Sequence, residues 1–172
     1  MYKTDFSSLE ALRGLARELR CPIWFNEDIS PLRAPIKAGS LTFPNRIAIQ
    51  PMEGADADIM GSPTDQTKSR YLGYAEGCAG IIWFEACSIG FHQSRTHNKM
   101  LVINEENLPE FKILVADVKR RSEDTLSEIG LEGKAALIIQ LSHAGRYRVE
   151  RSPASPAMAY RFPVLDEAFG IT

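Results

Sequence analysis

The sequence predicts an α/β domain built on a parallel β-sheet. Three short segments, 47–50, 80–85 and 135–140, are apolar nearly throughout, as strands buried on both faces of a parallel sheet are. Helical patterns lie between them, and this alternation is typical of βα units. Successive strand starts are 34 and 54 residues apart, so the second connection has room for an extended loop.

Composition favours an ordinary soluble globular domain. Of the 172 residues, 44% are hydrophobic and 24% are charged, which excludes wholesale disorder. The formal net charge of −2 and the short apolar runs give no indication of nucleic-acid or membrane binding. The N-terminus lacks a signal-peptide pattern, and three widely spaced cysteines do not form a disulfide framework. We therefore expect a cytoplasmic protein with buried free thiols.

A helix and a hairpin are expected before the first strand. The capping-box spacing of Ser7 and Glu10 and the recurrence of leucine predict a helix over 7–20. The proline-containing stretch that follows is predicted to be irregular. Residues 36–43 are predicted to form a small hairpin with Gly39 in its turn.

Two helices are predicted between the strands. In the first, Ser62 is the cap, Pro63 is the first helical residue, and Gly77 ends the helix. Pro109 opens the second. Its apolar face comprises Phe111, Leu114, Val115 and Val118. Residues 141–172 show no convincing helix or strand, and a loop of this length is usually a lid or a binding loop.

Polar residues, glycine and proline cluster where each predicted strand ends. The three segments are Gln50-Pro51-Met52-Glu53-Gly54, Glu85-Ala86-Cys87-Ser88 and Gln140-Leu141-Ser142-His143-Ala144-Gly145-Arg146. Ligands bind at the carboxyl ends of parallel strands in α/β folds, so these residues are site candidates. The two common glycine-rich nucleotide fingerprints do not follow any of the strands.

Taken together, three motifs resemble those of the Old Yellow Enzyme family. They are Asn45-Arg46-Ile47 with Pro51-Met52, Gly80-Ile81-Ile82 with Glu85-Ala86, and the segment Gln140-Leu141-Ser142-His143-Ala144-Gly145-Arg146. The resemblance covers about residues 33–150, in the family's order. The family comprises FMN-dependent NAD(P)H oxidoreductases on a TIM (β/α)8 barrel, including the branch similar to 2,4-dienoyl-CoA reductase.

The resemblance implies a partial TIM barrel, made of about the first three βα units with an N-terminal hairpin and an extra helix. It divides the chain into an extension, 1–32, and the N-terminal portion of a flavin-binding barrel, 33–172. A whole barrel needs roughly 250 residues. The family's substrate-binding histidine pair, tyrosine proton donor, FMN phosphate site and, in one branch, iron–sulfur cysteines would all follow position 172. No catalytic residue is therefore assigned.

The implied site holds the isoalloxazine ring of FMN at the strand ends. The backbone at Pro51 and Met52 would line the ring, and Glu53 would lie near its pyrimidine or C4 edge. Ala86 would lie against the flavin, and Gln140 would hydrogen-bond its N3 and C2 carbonyl region, a role that suits an amide because it donates and accepts. Relatives often carry Thr or Cys in place of Glu53, so an altered redox potential or substrate range is expected.

The implied activity is ene-reduction of a small-molecule substrate. NAD(P)H would pass a hydride to the flavin, and the reduced flavin would pass it to an activated C=C bond in a ping-pong sequence. The alternative is a catalytically incomplete barrel fragment or a half-barrel assembly module. Three parallel strands outside a closed barrel leave an open edge, which is expected to pair with another copy or with a complementary chain.

Other polar residues near the strand ends are interpreted as structural. We expect His143 and Arg146 to brace the loop after the third strand. By family likeness, Glu85 is expected to be a buried structural carboxylate.

No metal site is predicted. His92 and His97 are interpreted as solvated loop residues because neither a carboxylate nor a thiol lies at ligand spacing from them. Asp56 and Asp58 resemble a metal motif only superficially, and a solvated loop is expected there as well.

Overall fold

Helices and parallel strands alternate along the chain, as predicted. The computed structural model describes residues 8–21, 23–90, 94–147 and 158–171. The helices are α1 (Leu9–Glu18), α2 (Ser30–Arg33), α3 (Asp65–Glu76), α4 (Leu108–Glu128) and α5 (Pro163–Ala168). The strands are β1 (Ile36–Ala38), β2 (Leu41–Phe43), β3 (Ala48–Ile49), β4 (Ile81–Ser88) and β5 (Ala136–Ser142). None of the helices in these ranges is both long enough and apolar enough to cross a bilayer.

The chain forms two compact units, Met1–Pro31 and Leu32–Thr172. In the first, α1 begins after Ser8, whose side-chain oxygen accepts a hydrogen bond from the backbone N–H of Ala11 at 3.1 Å. The predicted cap, Ser7, lies outside the described residues. The second unit contains the hairpin and the sheet.

The second unit is built on a parallel sheet with the strand order β3-β4-β5. Ala48 pairs with Ile81, and Ile81 pairs with Ala136. The predicted parallel sheet is thereby confirmed, although β3 is shorter than the expected 47–50. The antiparallel hairpin β1-β2 is also confirmed, and Gly39 in its turn has a φ of 60°.

The main core lies between β4 and the two helices α3 and α4. Tyr71 of α3 stacks on Phe84 of β4 with 4.2 Å between ring centroids. The buried residues of this cluster are Tyr71, Ala75, Ala79, Ile82, Phe84, Leu114, Val118 and Ala135. Both helices therefore pack on the central strand, and the predicted apolar face of α4 contributes to this core.

The third strand is not buried on both faces, contrary to the prediction. Ile138 and Ile139 of β5 are partly exposed, and Leu141 is 61% exposed. The reason is topological, because β5 is the outermost strand of its sheet. A strand that is apolar on both faces becomes buried only when neighbouring elements cover it. Within the described residues, β5 has a strand neighbour on one side only.

The first interstrand helix begins two residues later than predicted. Its cap is Thr64 rather than Ser62, because Thr64 and Thr67 form a capping box in which each side chain bonds to the other residue's backbone N–H. Its last turn ends at Gly77 as predicted, but the residue with positive φ is Cys78, at 57°.

The segment after the third strand contains more structure than the predicted loop. β5 continues to Ser142, a 3-10 turn spans Gly145–Tyr147, and α5 follows. Pro163 occupies the first turn of α5, and Gly170 follows its end with a φ of 65°. Proline at a helix start and glycine after its end are ordinary helix signals, which the sequence analysis overlooked here.

Asn45 joins the starts of β3 and β4. Its side-chain oxygen accepts hydrogen bonds from the backbone N–H groups of Ile47, at 3.0 Å, and Gly80, at 2.8 Å. Its amide nitrogen donates to the carbonyl of Cys78 at 2.7 Å. A Cβ at Gly80 would lie 2.8 Å from the Asn45 carbonyl oxygen, so the two segments approach too closely for a side chain at this glycine.

Replacing Asn45 should destabilise the sheet. In Asn45→Ala the backbone N–H of Ile47 loses its side-chain acceptor and the carbonyl of Cys78 loses its side-chain donor, and an unsatisfied buried group costs about 1–3 kcal/mol. We expect urea unfolding of the chain to show a loss of this size. Asn98→Ala, at an exposed asparagine, is the matched control and should change the free energy of unfolding by less than about 0.5 kcal/mol. Equal losses in the two variants would contradict this role.

Candidate functional site

The predicted site residues lie where the three parallel strands end at one edge of the sheet. Ala86 of β4 is the direct partner of Gln140 of β5. The register between these strands shifts between Phe84 and Ala86, so Glu85 forms a β-bulge. Bulges bend a strand, re-aim its side chains and are frequent beside active sites. The structure thus brings Ala86 and Gln140 side by side.

Gln140 and Met52 are two of the exposed site candidates. The Gln140 side chain makes no hydrogen bond within the described residues. Met52 is 71% exposed, and its backbone N–H donates to the carbonyl of Gln50 at 2.9 Å. Pro51, which lies between Gln50 and Met52 in the sequence, is half-buried. Among the described residues no hydrogen bond joins this loop to Gln140.

Glu85 links the loop after β3 to the central strand. Its side chain is fully buried, and its Oε2 accepts a hydrogen bond from the backbone N–H of Gly54 at 3.0 Å. The hydroxyl of Tyr71 donates to Glu85 Oε1 at 3.2 Å and accepts from the Glu85 backbone N–H at 2.8 Å. The expected buried structural carboxylate is confirmed, and it holds the backbone that follows Pro51, Met52 and Glu53.

Arg70 of α3 lies between two carboxylates. Its Nη2 donates to Glu85 Oε1 at 2.5 Å and to Asp56 Oδ1 at 2.8 Å, and its Nε donates to Asp56 Oδ2 at 2.8 Å. The guanidinium lies over the Tyr71 ring with Cζ 4.8 Å from the centroid. Burial opposes its charge, but hydrogen bonds to Asp56 and Glu85 outweigh burial and hold the pKa of Arg70 above its usual value.

Asp56 is buried, so the prediction of a solvated loop is wrong for this residue. Besides Arg70, its side chain accepts from the hydroxyl of Thr67 at 2.8 Å, and its carbonyl accepts from Thr64 Oγ1 at 2.6 Å. Burial raises the pKa of Asp56, but hydrogen bonds from Arg70 and Thr67 outweigh it, and the net pKa is lowered. Asp58 is exposed, as expected, and accepts from the N–H of Ser62.

Gly54 leaves room for the Arg70 guanidinium. A Cβ at Gly54 would overlap the Cζ, Nε and Nη2 atoms of Arg70. The end of an arginine side chain is ordinarily able to move aside, but this one is held by Asp56 and Glu85. The glycine is therefore required by the close approach of the loop to the ion pairs.

Glu53 and His97 join the loops that follow β3 and β4. His97 Nε2 and Glu53 Oε2 are 2.7 Å apart, and both side chains are about one-third exposed, at 35% and 33%. The sequence analysis placed His97 in a solvated loop without a partner, because the two residues are 44 positions apart in sequence. His92 lies outside the described residues. Within those residues no three His, Cys, Asp or Glu side chains gather as metal ligands would.

Cys87 is a buried thiol close to this network. Burial, and then the nearby charges of Glu85 and Glu53, raise its pKa to about 12. A thiol in that environment is protonated at neutral pH and is a poor nucleophile. Cys21 is exposed and Cys78 is half-buried, so the expectation of buried thiols holds for Cys87 alone, while all three cysteines are free as expected.

The residues expected to brace the loop after β5 do so. His143 Nδ1 accepts a hydrogen bond from the backbone N–H of Gly145 at 3.0 Å. Arg146 donates to the carbonyl of Tyr160 at 3.1 Å and forms an ion pair with Asp166 at 3.2 Å. Both side chains are engaged within their own segment, which confirms the structural interpretation.

Sequence analysis did not identify Thr67, Arg70 and Tyr71 as functional neighbours. A signal was present, since residues three and four apart share one face of a helix, and this face of α3 is polar yet buried. The charge of Arg70 works against this signal, because an arginine is expected to be exposed unless it is paired. Its two partners, Asp56 and Glu85, lie on other elements, so the helix sequence does not show the pairing.

The sheet order, the helices on the central strand and the clustered strand ends together define a partial α/β barrel. Comparison with solved structures supports this class. No protein-family model matches the sequence, and no curated protein matches it either.

Solved structures with the same fold are members of the Old Yellow Enzyme family. The Old Yellow Enzyme from Trypanosoma cruzi is 21% identical with a TM-score of 0.56, over 80% of this chain and 36% of that chain. The enzyme from Pichia sp. AKU4542 is 20% identical with a TM-score of 0.56, over 69% and 28%. Morphinone reductase is 24% identical with a TM-score of 0.50, over 68% and 27%.

These similarities confirm the predicted fold. The chain spans only about a third of the length of the solved structures that it matches. At these identities the likeness shows the fold, a partial barrel. The five predicted flavin contacts stay predictions.

Removing the cation from the Asp56–Arg70–Glu85 network should destabilise the second unit strongly. Arg70→Gln leaves two buried carboxylates without their partner, and breaking a buried pair costs about 3–5 kcal/mol. Urea unfolding followed by circular dichroism measures the loss. Arg46→Gln, at an exposed arginine, is the matched control and should stay within about 0.5 kcal/mol of the parent chain.

Acid provides a second readout of the same network. The folded-state pKa of Asp56 lies below its unfolded value near ~3.9, so its contribution is present above that pH and is lost as pH falls toward the folded pKa. The parent chain should therefore lose stability as the pH falls below about 4 toward the folded pKa of Asp56. In Arg70→Gln this acid loss should shrink, and an unchanged profile would refute the assignment of Asp56 as the paired carboxylate.

Proposed function

We propose that the chain is the N-terminal part of an FMN-dependent NAD(P)H oxidoreductase of the ene-reductase type, in the Old Yellow Enzyme family. The observation that carries the proposal is the register pairing of Ala86 with Gln140 near the carboxyl ends of β4 and β5. This edge is where the family's motifs fall in the sequence, and the fold likeness to Old Yellow Enzymes supports it independently.

The residues present fit one face and one edge of an isoalloxazine ring. Ala86 has a small side chain that lets a flat ring approach the strand. Gln140 has an exposed amide without a partner in the described chain, and an amide matches the alternating donors and acceptors of the ring edge. When bound, FMN would supply hydride transfer between NAD(P)H and an activated C=C bond.

The chain's own residues would bind the isoalloxazine ring and hold it in position. Pro51 and Met52 would contact the ring through their backbone. Glu85 would keep that loop in place through the Gly54 N–H. Glu53, held by His97, would present a carboxylate near the ring, where relatives carry a smaller side chain.

The named neighbours support the choice of substrate and reductant. They include morphinone reductase and 2-naphthoyl-CoA reductase, the latter with a TM-score of 0.56. A variant of morphinone reductase has been solved in complex with tetrahydroNAD, at a TM-score of 0.50 to this chain. A small-molecule substrate and a nicotinamide reductant follow for this chain as parts of the proposal.

Flavin binding tests the proposal. The longest reading frame that contains this sequence is expressed, supplied with FMN, and examined for absorption near ~450 nm that NADH or NADPH bleaches. Gln140→Leu should weaken FMN binding about three- to tenfold, the effect of losing one or two hydrogen bonds. Gln66→Leu, at an exposed glutamine of α3, is the matched control and should bind as the parent does.

Two outcomes would contradict the proposal. One is a folded product without bleachable absorption after FMN is supplied. The other is equal FMN affinity in the Gln140 and Gln66 variants, which would leave flavin binding without its predicted contact.

A second function is favoured by the exposed edge of β5. An apolar groove of about 470 Å³ runs between α4 and β5. Its apolar lining includes Phe84, Phe111, Val115, Leu137 and Ile139, and two lysines, Lys112 and Lys119, also line it. We propose that the chain is an assembly module whose edge and groove receive the next βα segment of a barrel, with acidic residues on its helix opposite the lysines.

The 172-residue chain alone should then associate through this edge. Sedimentation is expected to show concentration-dependent oligomers, and Ile139→Lys should reduce them because a charge on an edge strand opposes strand pairing. Ile113→Lys, at an exposed isoleucine of α4, controls for the added charge. A chain that stays monomeric over the whole concentration range would contradict the proposal of an assembly module, and it would leave the proposal of flavin binding unaffected.

A further inference from the structure

Three arginines of α1 and its C-terminal end line one cavity in the first unit. Arg13, Arg17 and Arg20 are spaced four and three residues apart, which places them on one side of the helix. The cavity has a volume of about 550 Å³. Its other lining residues are Ala16, Cys21, Ile23 and Phe25. A concentrated positive charge therefore lies beside an apolar and aromatic surface.

These arginines have no acidic partner among the described residues. The recorded contact of Arg13 is with the Phe25 ring, with Cζ 5.3 Å from the centroid. Glu10 and Glu18, the acidic residues of the same helix, do not line the cavity. The described part of the lining thus contains three cationic side chains and no acidic one, and an anion bound there would be attracted to all three.

Arg20 occupies a backbone position that glycine would occupy without strain. It follows the helix in the left-handed region, with a φ of 50°. Its N–H bonds to the carbonyl of Arg17, and the N–H of Cys21 bonds to that of Ala16, so the helix ends in a Schellman motif.

Two other helices end in the same hydrogen-bond pattern with glycine at this position. These residues are Gly130 after α4 and Gly170 after α5, with φ values of 71° and 65°. A residue other than glycine in this region carries backbone strain, as Cys78 after α3 also does with a φ of 57°. Here the strain places a third guanidinium at the cavity.

The helix end itself does not cancel this charge. The C-terminal end of a helix carries the equivalent of about half a negative charge, against three full positive charges. The lining of the cavity therefore carries a net positive charge, which favours an anion at this site.

We propose that this cavity binds a small molecule that carries a phosphate or pyrophosphate group joined to an aromatic part, as nucleotides do. Guanidinium groups bind phosphate oxygens in bidentate fashion, and the Phe25 ring offers a stacking surface for the aromatic part. The site lies wholly in the first unit, and the proposal does not depend on the flavin function.

Calorimetric titration of the 172-residue chain with ADP, pyrophosphate and adenosine tests the proposal. ADP is expected to bind at one site, pyrophosphate more weakly, and adenosine without measurable affinity. Arg17→Gln should weaken ADP binding about tenfold by removing charge-assisted hydrogen bonds. Arg33→Gln, at an exposed arginine that does not line the cavity, is the matched control and should bind as the parent does.

Arg20→Gly separates a binding role from a structural one. Glycine relieves the positive φ, so the variant should melt at a higher temperature while it binds ADP about tenfold more weakly. If ADP does not bind saturably, or if both cavity variants bind it as the parent does, the proposal is overturned.

Discussion

The second unit depends on one half-buried cation that is shared by two buried carboxylates. Arg70 connects α3 to the loop after β3 through Asp56 and to the central strand through Glu85. Charges taken out of water are costly unless each is paired and hydrogen-bonded, and here the hydroxyls of Thr67 and Tyr71 also donate to the two carboxylates. Because removing any member exposes the others to that cost, the three elements hold one arrangement.

This arrangement determines the geometry of the candidate site. Glu85 is the bulged residue that aligns Ala86 with Gln140, and the same side chain holds the Gly54 N–H. The loop with Met52 is thus fixed to the strand whose neighbour carries Gln140. A rigid scaffold beneath exposed contact groups is what a flavin platform requires, since binding groups must be held in place before the ligand arrives.

The outer strand β5 differs from the central strand β4 because one of its edges is exposed. Ion pairs and the aromatic core hold β4 from within, whereas β5 presents apolar side chains outward. An exposed apolar strand edge pairs readily with further strands, so the flavin platform and the assembly surface that we propose belong to the same sheet. The match covers 28% and 36% of the two Old Yellow Enzyme structures, which therefore extend beyond the part that resembles this sheet.

By itself the sequence determined the local elements and their class. The apolar runs, the turn glycine Gly39 and the proline helix start at Pro109 are readable because each depends on neighbours in the chain, and the α/β sheet follows from them. The sequence also located the strand ends, through the motifs around Pro51, Ala86 and Gln140.

Only the tertiary structure decided which charges are buried. From its sequence context Asp56 is expected to be a solvated loop residue, and only folding brings it to Arg70, 14 residues away in the chain. His97 and Glu53 meet across 44 positions, and the bulge at Glu85 exists only in the pairing of β4 with β5. Local patterns report propensity and periodicity, whereas ion pairs and register arise from distant residues, so no segment read alone contains them.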